Sequence, residues 1–122
     1  LVNRKSCLEI AKSINLENNQ DILAYLGKNN KNRPRIVVGF SAETENLNRN
    51  ATIKLREKNC DLIIANDVSK KDSGFNSDYN RVSIIDGSGK TQVLKRNKKS
   101  FIANKIAEVV LDKLLIDDRN FN

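Results

Sequence analysis

The sequence predicts an α/β domain in which parallel strands are covered by helices and followed by a β-hairpin and a last helix. Three observations predict it. Arg35-Ile36-Val37-Val38-Gly39-Phe40 and Asp61-Leu62-Ile63-Ile64-Ala65-Asn66-Asp67 are short apolar runs rich in branched side chains, the pattern of strands buried on both faces. A polar stretch from Thr44 to about Asn59 separates them with helical periodicity, which makes a β-α-β unit with a right-handed crossover. The C-terminal third joins a hairpin signal to an amphipathic helix.

The elements follow in order. Leu8 to Ile14 alternates unevenly and reads as a strand. Asn18, Asn19 and Asp21 are candidate N-caps for a short helix, Ile22 to Leu26. Gly27 and the polar stretch Lys28 to Arg33 close it before Pro34. After the second buried strand comes a long polar loop, Val68 to Asn80, of the length that usually marks a functional or flexible connection. Arg81 to Ile85 and Thr91 to Leu94 flank Asp86-Gly87-Ser88-Gly89-Lys90, a hairpin with glycine at its turn. Ser100 is the expected cap of the final helix. Its stripe is Ala103, Ile106, Ala107, Val110 and Leu114, with a frayed tail from Asp117.

Composition narrows the chemistry. The 122 residues suit one domain, and 39% hydrophobic with 30% charged residues is a globular balance. There is no histidine, so Ser-His-Asp, Cys-His and His-metal chemistries are excluded. Cys7 and Cys60 are too few for a disulfide framework and are not spaced as a zinc site, which fits a reducing cytoplasm. No apolar run approaches a membrane span, and Arg4, Lys5, Glu9 and Lys12 interrupt any signal-peptide core. The chain has no methionine, even at position 1, so Leu1 is expected to be a processed end or the edge of a fragment. The net charge of +7 admits nucleic acid, an anionic surface or a phosphorylated small molecule. Aromatics are only 5%, and none interleave with the basic run Lys95, Arg96, Lys98, Lys99, so a base-stacking platform is disfavoured.

In an open α/β sheet, ligands gather at the carboxyl ends of the strands. Here these are Gly39 to Thr44 and Ala65 to Asp67. Gly39 permits close approach of a ligand, or it relieves crowding against a helix. Asn66-Asp67 reads equally as a turn whose side chains bond nearby backbone. On the Thr44–Asn59 helix, Leu47, Ala51 and Leu55 form the buried stripe. Lys54 and Lys58, one turn apart, fall on that inner side, while Arg49, Thr52 and Arg56 face solvent. Inward lysines need an anionic partner such as a ligand phosphate, or they lie near the helix end and snorkel to water. Periodicity leaves both readings open.

Four segments in order carry a family resemblance. They are Val38-Gly39-Phe40-Ser41-Ala42-Glu43-Thr44, then Lys54 and Lys58, then Asp61 to Ser69, then Gly74-Phe75-Asn76-Ser77-Asp78-Tyr79-Asn80. They resemble the ligase domain of bacterial phosphopantothenoylcysteine decarboxylase/ligase, whose pattern runs VGFAAET, two helix lysines, DLI-ANDVS and GFxSDxN. The match covers most of Asn19 to Asn80, and the hairpin and last helix agree in kind.

The resemblance implies a Rossmann-like three-layer sandwich. Residues 1–122 would form a single unit, the C-terminal part of that ligase domain. It implies CTP-dependent ligation of 4′-phosphopantothenate to cysteine through an acyl-cytidylate, with Mg2+ accompanying the triphosphate. The nucleotide-binding positions that match are Gln20, Asp21, Ile22 and Leu23, then Phe40, Lys54 and Lys58. No catalytic or metal-ligating residue is transferred. Gln20 stands where the family has proline. The family's Gly-rich first half has no counterpart here, and of its Lys-x-Lys-Lys motif Asn3-Arg4-Lys5 is only a poor echo. The implied partners are CTP, 4′-phosphopantothenate, cysteine, and either a second copy or the missing half-domain. Nucleic acid and membrane are not among them. The competing reading is a non-catalytic α/β subunit or a decayed remnant.

Overall fold

A computed structural model describes residues 21–70 and 77–120. The expected strand over Leu8 to Ile14, residue Gln20 and residues 71–76 lie outside the described residues. The elements are α1 (Ile22–Lys28), β1 (Val38–Glu43), α2 (Leu47–Lys58), β2 (Leu62–Asp67), β3 (Tyr79–Asp86), β4 (Thr91–Lys98) and α3 (Lys99–Asn120). The strands form one four-stranded sheet in the order β1-β2-β3-β4. β1 and β2 pair parallel, and the other pairs are antiparallel. Helices cover both faces, so the unit has three layers. Val37, Ile63, Ala65 and Ile85 pack against Ala51 and Leu55 of α2, with Leu23 and Leu26 of α1 beside them. Leu62, Ile64, Val82, Ile84 and Leu94 pack beneath Ile102 and Ile106 of α3.

β2 is buried on both faces, as its apolar run predicts: Leu62, Ile63, Ile64 and Ala65 are each at most 2% exposed. β1 differs from expectation. It starts at Val38, not Arg35, and runs on to Glu43. It is also the edge of the described sheet, not a central strand, so its burial alternates. Gly39, Ser41 and Glu43 point inward toward α2, while Phe40 is 69% exposed on the other face. The ladder starts late because Val37 is already occupied. Its N–H donates to Asp61 Oδ2 at 2.7 Å, and its carbonyl accepts from the N–H groups of Asp61 and Leu62. Ser41 and Glu43 hide the strand's second half in the sequence, because polar residues at a buried period break an apolar run.

Asp61 is one part of a junction that locks the amino-terminal end of the parallel pair. Arg33 reaches it with Nη2 at 2.9 Å, donates from Nε to Gly27 O at 2.9 Å, and donates from Nη2 to Asn59 O at 2.8 Å. The Asn59 amide adds a 2.7 Å bond to Gly27 O. Gly27 itself lies against the end of α2: a Cβ there would sit 2.0 Å from Lys58 O and 2.7 Å from Asn59 O. The expected role of Gly27 as a helix closer is therefore incomplete. α1 continues through it to Lys28, and its missing side chain lets two backbones touch.

Asp21 caps α1, its carboxylate accepting from Ala24 N at 3.1 Å. α2 begins at Leu47 instead of Thr44. Asn46 precedes it in the left-handed region at φ 47°, a conformation asparagine tolerates, so Thr44 to Asn46 bend out of β1 before the helix can start. Asn59, at φ 53°, ends α2 in the same way, its N–H bonding back to Arg56 O at 3.2 Å. Ala51 and Leu55 are buried and Leu47 packs against them, which is the predicted stripe.

The hairpin is longer than its apolar segments suggest. Asp86 Oδ1 gathers Ser88 N, Ser88 Oγ and Lys90 N at its turn, and Gly89 takes φ 89° there. At the open end Tyr79 and Asn80, expected in the loop, pair with Lys98 and Asn97 across an irregularity between Asn80 and Val82. Arg96 stacks over the Tyr79 ring, 4.0 Å from its centroid, which helps carry the pairing past the apolar core. α3 starts at Lys99, so Ser100 lies inside the helix and is not its cap, and the helix continues to Asn120 where a frayed tail was expected. Ile102, Ile106, Val109 and Val110 face the sheet, whereas Ala103 and Ala107 do not. The apolar arc of α3 is wider than the sheet beneath it. With no described strand beyond β1, its outer flank overhangs an edge.

Two substitutions test this packing. Gly27→Ala should destabilise the chain by at least the upper part of the ~1–3 kcal/mol typical of overpacking, because the atoms in its way are backbone carbonyls. Ser41→Ala should be neutral or stabilising, since the buried Ser41 hydroxyl has no hydrogen-bond partner among the described residues. Urea unfolding of both variants checks these outcomes.

Candidate functional site

The carboxyl ends of β1 and β2 bring together Glu43, Asn66 and Asp67, and the inner flank of α2 adds Lys54. Asp67 closes a tight turn, accepting from Ser69 N at 3.0 Å and Ser69 Oγ at 2.5 Å, and these bonds hold its carboxyl below the usual range. That is the structural alternative read from the sequence. Asn66 differs: its Oδ1 is buried with no hydrogen-bond partner among the described residues. Gly39 is also explained by packing. A Cβ there would meet Leu23 Cδ2 at 2.7 Å and Cys60 Sγ at 3.4 Å. Cys60 is a buried free thiol whose burial pushes its pKa up, so it is poorly suited to nucleophilic work.

The inward lysines both have anionic partners, and the chain supplies them. Lys54 Nζ lies 2.5 Å from Glu43 Oε1, and Lys58 pairs with Asp21. The pairs are unlike. The Glu43 side chain is 8% exposed, whereas that of Asp21 is 45% exposed. The hydrogen bond from Lys58 holds the Asp21 carboxyl below its ordinary 3.8, aided by the Ala24 N–H. In return the Asp21 carboxylate raises Lys58 above 10.5.

Of the predicted site residues, Asp21, Leu23 and Lys58 meet where α1 crosses α2. Leu23 is half-buried against the core, while Ile22 is 71% exposed. Lys54 lies one helical turn from Lys58, at the end of β1. Phe40 is not gathered with them. It projects from the opposite face of β1 into an open apolar hollow with Ala107, Val110, Leu111 and Leu114 of α3. Sequence reasoning passed over Glu43. Its signal was an acidic residue at an inward position of a strand, facing a helix with an inward lysine. Among the described residues no three Cys, Asp or Glu side chains cluster as a metal site, and no helix is long and apolar enough to cross a membrane.

The three-layer sandwich and its parallel β-α-β unit define a Rossmann-like α/β fold. Residues 3–114 match the family model for the C-terminal domain of DNA/pantothenate metabolism flavoproteins, and the chain belongs to that family. It is 37% identical over 98 residues to the coenzyme A biosynthesis bifunctional protein CoaBC of Bacillus subtilis, covering 80% of this chain and 24% of that protein. It is 36% identical over 108 residues to CoaBC of Escherichia coli K12, covering 88% and 26%. A cysteine/cysteine sulfinic acid decarboxylase from an unknown prokaryotic organism is 37% identical over 98 residues, covering 80% and 27%. The chain thus spans about a quarter of the length of these relatives. The crystal structure of a CoaBC C-terminal domain superposes with a TM-score of 0.64 at 32% identity, covering 84% of this chain and 44% of that one. The Streptococcus pneumoniae DNA/pantothenate metabolism flavoprotein shares the fold, with a TM-score of 0.55 at 22% identity over 80% of this chain and 41% of that one.

The Asp21–Lys58 pair gives stability a defined pH dependence. The contribution of Asp21 is fully present above its ordinary 3.8 and is lost as pH falls through the lower folded value. That of Lys58 is present below 10.5 and is lost as pH rises through its higher folded value. Parent and Asp21→Asn should therefore differ most in melting temperature near neutral pH and converge toward acid, since asparagine keeps the cap but not the charge. Thermal melts across pH check this.

Proposed function

We propose that this chain supplies part of the CTP site of an enzyme that ligates 4′-phosphopantothenate to cysteine in the cytoplasm. The observation that carries the reading is the pair of lysines, Lys54 and Lys58, one turn apart on the inner flank of α2, the first beside the carboxyl end of β1 and the second beside the cap of α1. Each is held by a carboxylate, and each stands at a position where the resemblance implies nucleotide contact. Two ammonium groups in this arrangement can neutralise triphosphate charge as the substrate carboxylate attacks the α-phosphate and pyrophosphate leaves. Magnesium would come with the triphosphate, since it is commonly held by substrate phosphates and one or two carboxylates, and no protein cage is needed.

The remainder of the site would come from another part of the family's domain, in the same assembly or in a second copy. An exposed apolar hollow favours such a partner: Phe40 of β1 and Leu111 of α3, both exposed, line it together with Val110 and Leu114. The family name includes a flavin. The described end of the parallel strands offers it one exposed aromatic, Phe40, and no glycine-rich phosphate turn. These residues do not fit a flavin. The decarboxylase name of one relative favours a second reading, in which the domain serves carbon dioxide release from cysteine.

A chimera in which this chain replaces its matching segment of the B. subtilis protein tests both. With CTP, 4′-phosphopantothenate, cysteine and Mg2+ it should release pyrophosphate, while the chain alone should not exceed a blank. Lys54→Ala and Lys58→Ala should each weaken CTP binding about tenfold or more, the scale of one charge-assisted hydrogen bond, without unfolding the protein. A folded chimera that is silent with CTP but releases carbon dioxide from cysteine would favour the second reading.

A further inference from the structure

The geometry points to Glu43 as a positioning residue that fixes Lys54 for anion binding, while Lys58 is left free to move onto the same anion. This inference rests on the nucleotide reading of the two lysines and adds a division of labour between them. The Glu43 carboxylate lies at the last position of β1, and its side chain is 8% exposed. Its backbone is held too, the Glu43 carbonyl accepting from Val68 N at 3.1 Å. Among the described residues the only partner of the carboxylate is Lys54 Nζ, at 2.5 Å. If Lys54 swung away to a ligand, a buried carboxylate would lose that partner, which is strongly unfavourable. Lys54 therefore has to bind an anion from where it stands. An ammonium has three N–H donors, and one is spent on Glu43. The Lys54 side chain is 43% exposed, so the other donors can face a ligand at the rim.

Lys58 stands under no such constraint. Asp21 is 45% exposed and keeps the Ala24 N–H as a second partner, so water can replace Lys58 at its carboxylate. One lysine is thus preorganised and the other is recruited.

The sign of one substitution separates positioning from plain Coulomb attraction. Removing a negative charge beside an anion site should strengthen anion binding if charge alone matters. If Glu43 positions Lys54, its loss should weaken binding, because the freed lysine must be ordered at the ligand's cost. The experiment uses the full chain labelled at lysine Cε and Nζ, titrated with CTP and separately with inorganic tripolyphosphate. In the parent, the Lys54 ammonium should give a resolved, slowly exchanging NMR signal without ligand, and Lys58 an averaged one that sharpens on binding. Glu43→Gln should erase the Lys54 signal and weaken binding of both probes about tenfold, and in a Lys54→Ala background it should add no further loss. Glu43→Asp keeps the charge but shortens the reach. It should lose the Lys54 signal in the same way, and it serves if the glutamine variant fails to fold. Tighter or unchanged binding by Glu43→Gln, or a Lys54 signal that survives both substitutions, would overturn the assignment. If the parent chain binds neither probe, the titrations are made on the chimera; a folded chimera that binds neither overturns the nucleotide reading, and the Lys54 signal alone still decides whether Glu43 fixes this lysine.

Discussion

The Asp61 carboxylate is the point on which the arrangement of the first four elements depends. One of its oxygens accepts from the Val37 N–H and from Arg33, and Arg33 in turn satisfies the carbonyls of Gly27 and Asn59. A single carboxylate–guanidinium pair thus joins the end of α1, the end of α2, the entry to β1 and the entry to β2. Arginine suits this task because its planar fork presents several donors at fixed angles. Three of the groups it gathers are backbone atoms, which would be costly to leave unpaired where helices and strands converge. The consequence is felt at the other end of the strands. Once the parallel pair is pinned at its start, the register Val38↔Leu62 to Glu43↔Asp67 places Glu43 opposite Asp67 and within reach of Lys54.

The lysine pairs show how such a scaffold can carry charge on its inner side. Lys54 and Lys58 lie on the flank that also buries Ala51 and Leu55, and each ammonium meets a carboxylate from a different element. Lys58 ties α2 to the cap of α1. Lys54 ties α2 to the end of β1. The ion pairs are therefore also tertiary links, and any anion that engages these lysines acts on the contacts that seat α2.

Much of this was legible in the sequence, and the unread part has a common cause. β2, the stripe of α2, the glycine turn and the existence of every described element follow from apolar period and turn chemistry. The misread features lie where the sheet has an edge. A continuous apolar run in β1 suggested burial on both faces, but a strand with one described neighbour is half solvated, and its inward positions hold serine and glutamate. Periodicity draws the α3 stripe through Ala103 and Ala107, but Ile102 and Val109 are the residues that pack on the sheet, because the described sheet stops at β1. Periodicity gives the width of an apolar face and says nothing of how far its partner extends. For the candidate site, the resemblance singled out the two lysines, whereas their carboxylate partners became visible only when the strand and helix were set side by side. The resemblance groups Phe40 with the lysines, and the pleat of β1 sends it to the other face.

The mixed sheet also sets an order on folding. β3 and β4 are joined by a tight turn, so their pairing closes a short loop and can form early. β2 then adds antiparallel to β3 across a longer connection. The parallel pairing of β1 with β2 has to wait for the crossover through α2, because no tight turn can join parallel neighbours. The junction around Asp61 belongs to that late step. Substitutions at Arg33 or Asp61 should then speed unfolding while leaving the refolding rate nearly unchanged, and those in the hairpin core should slow refolding.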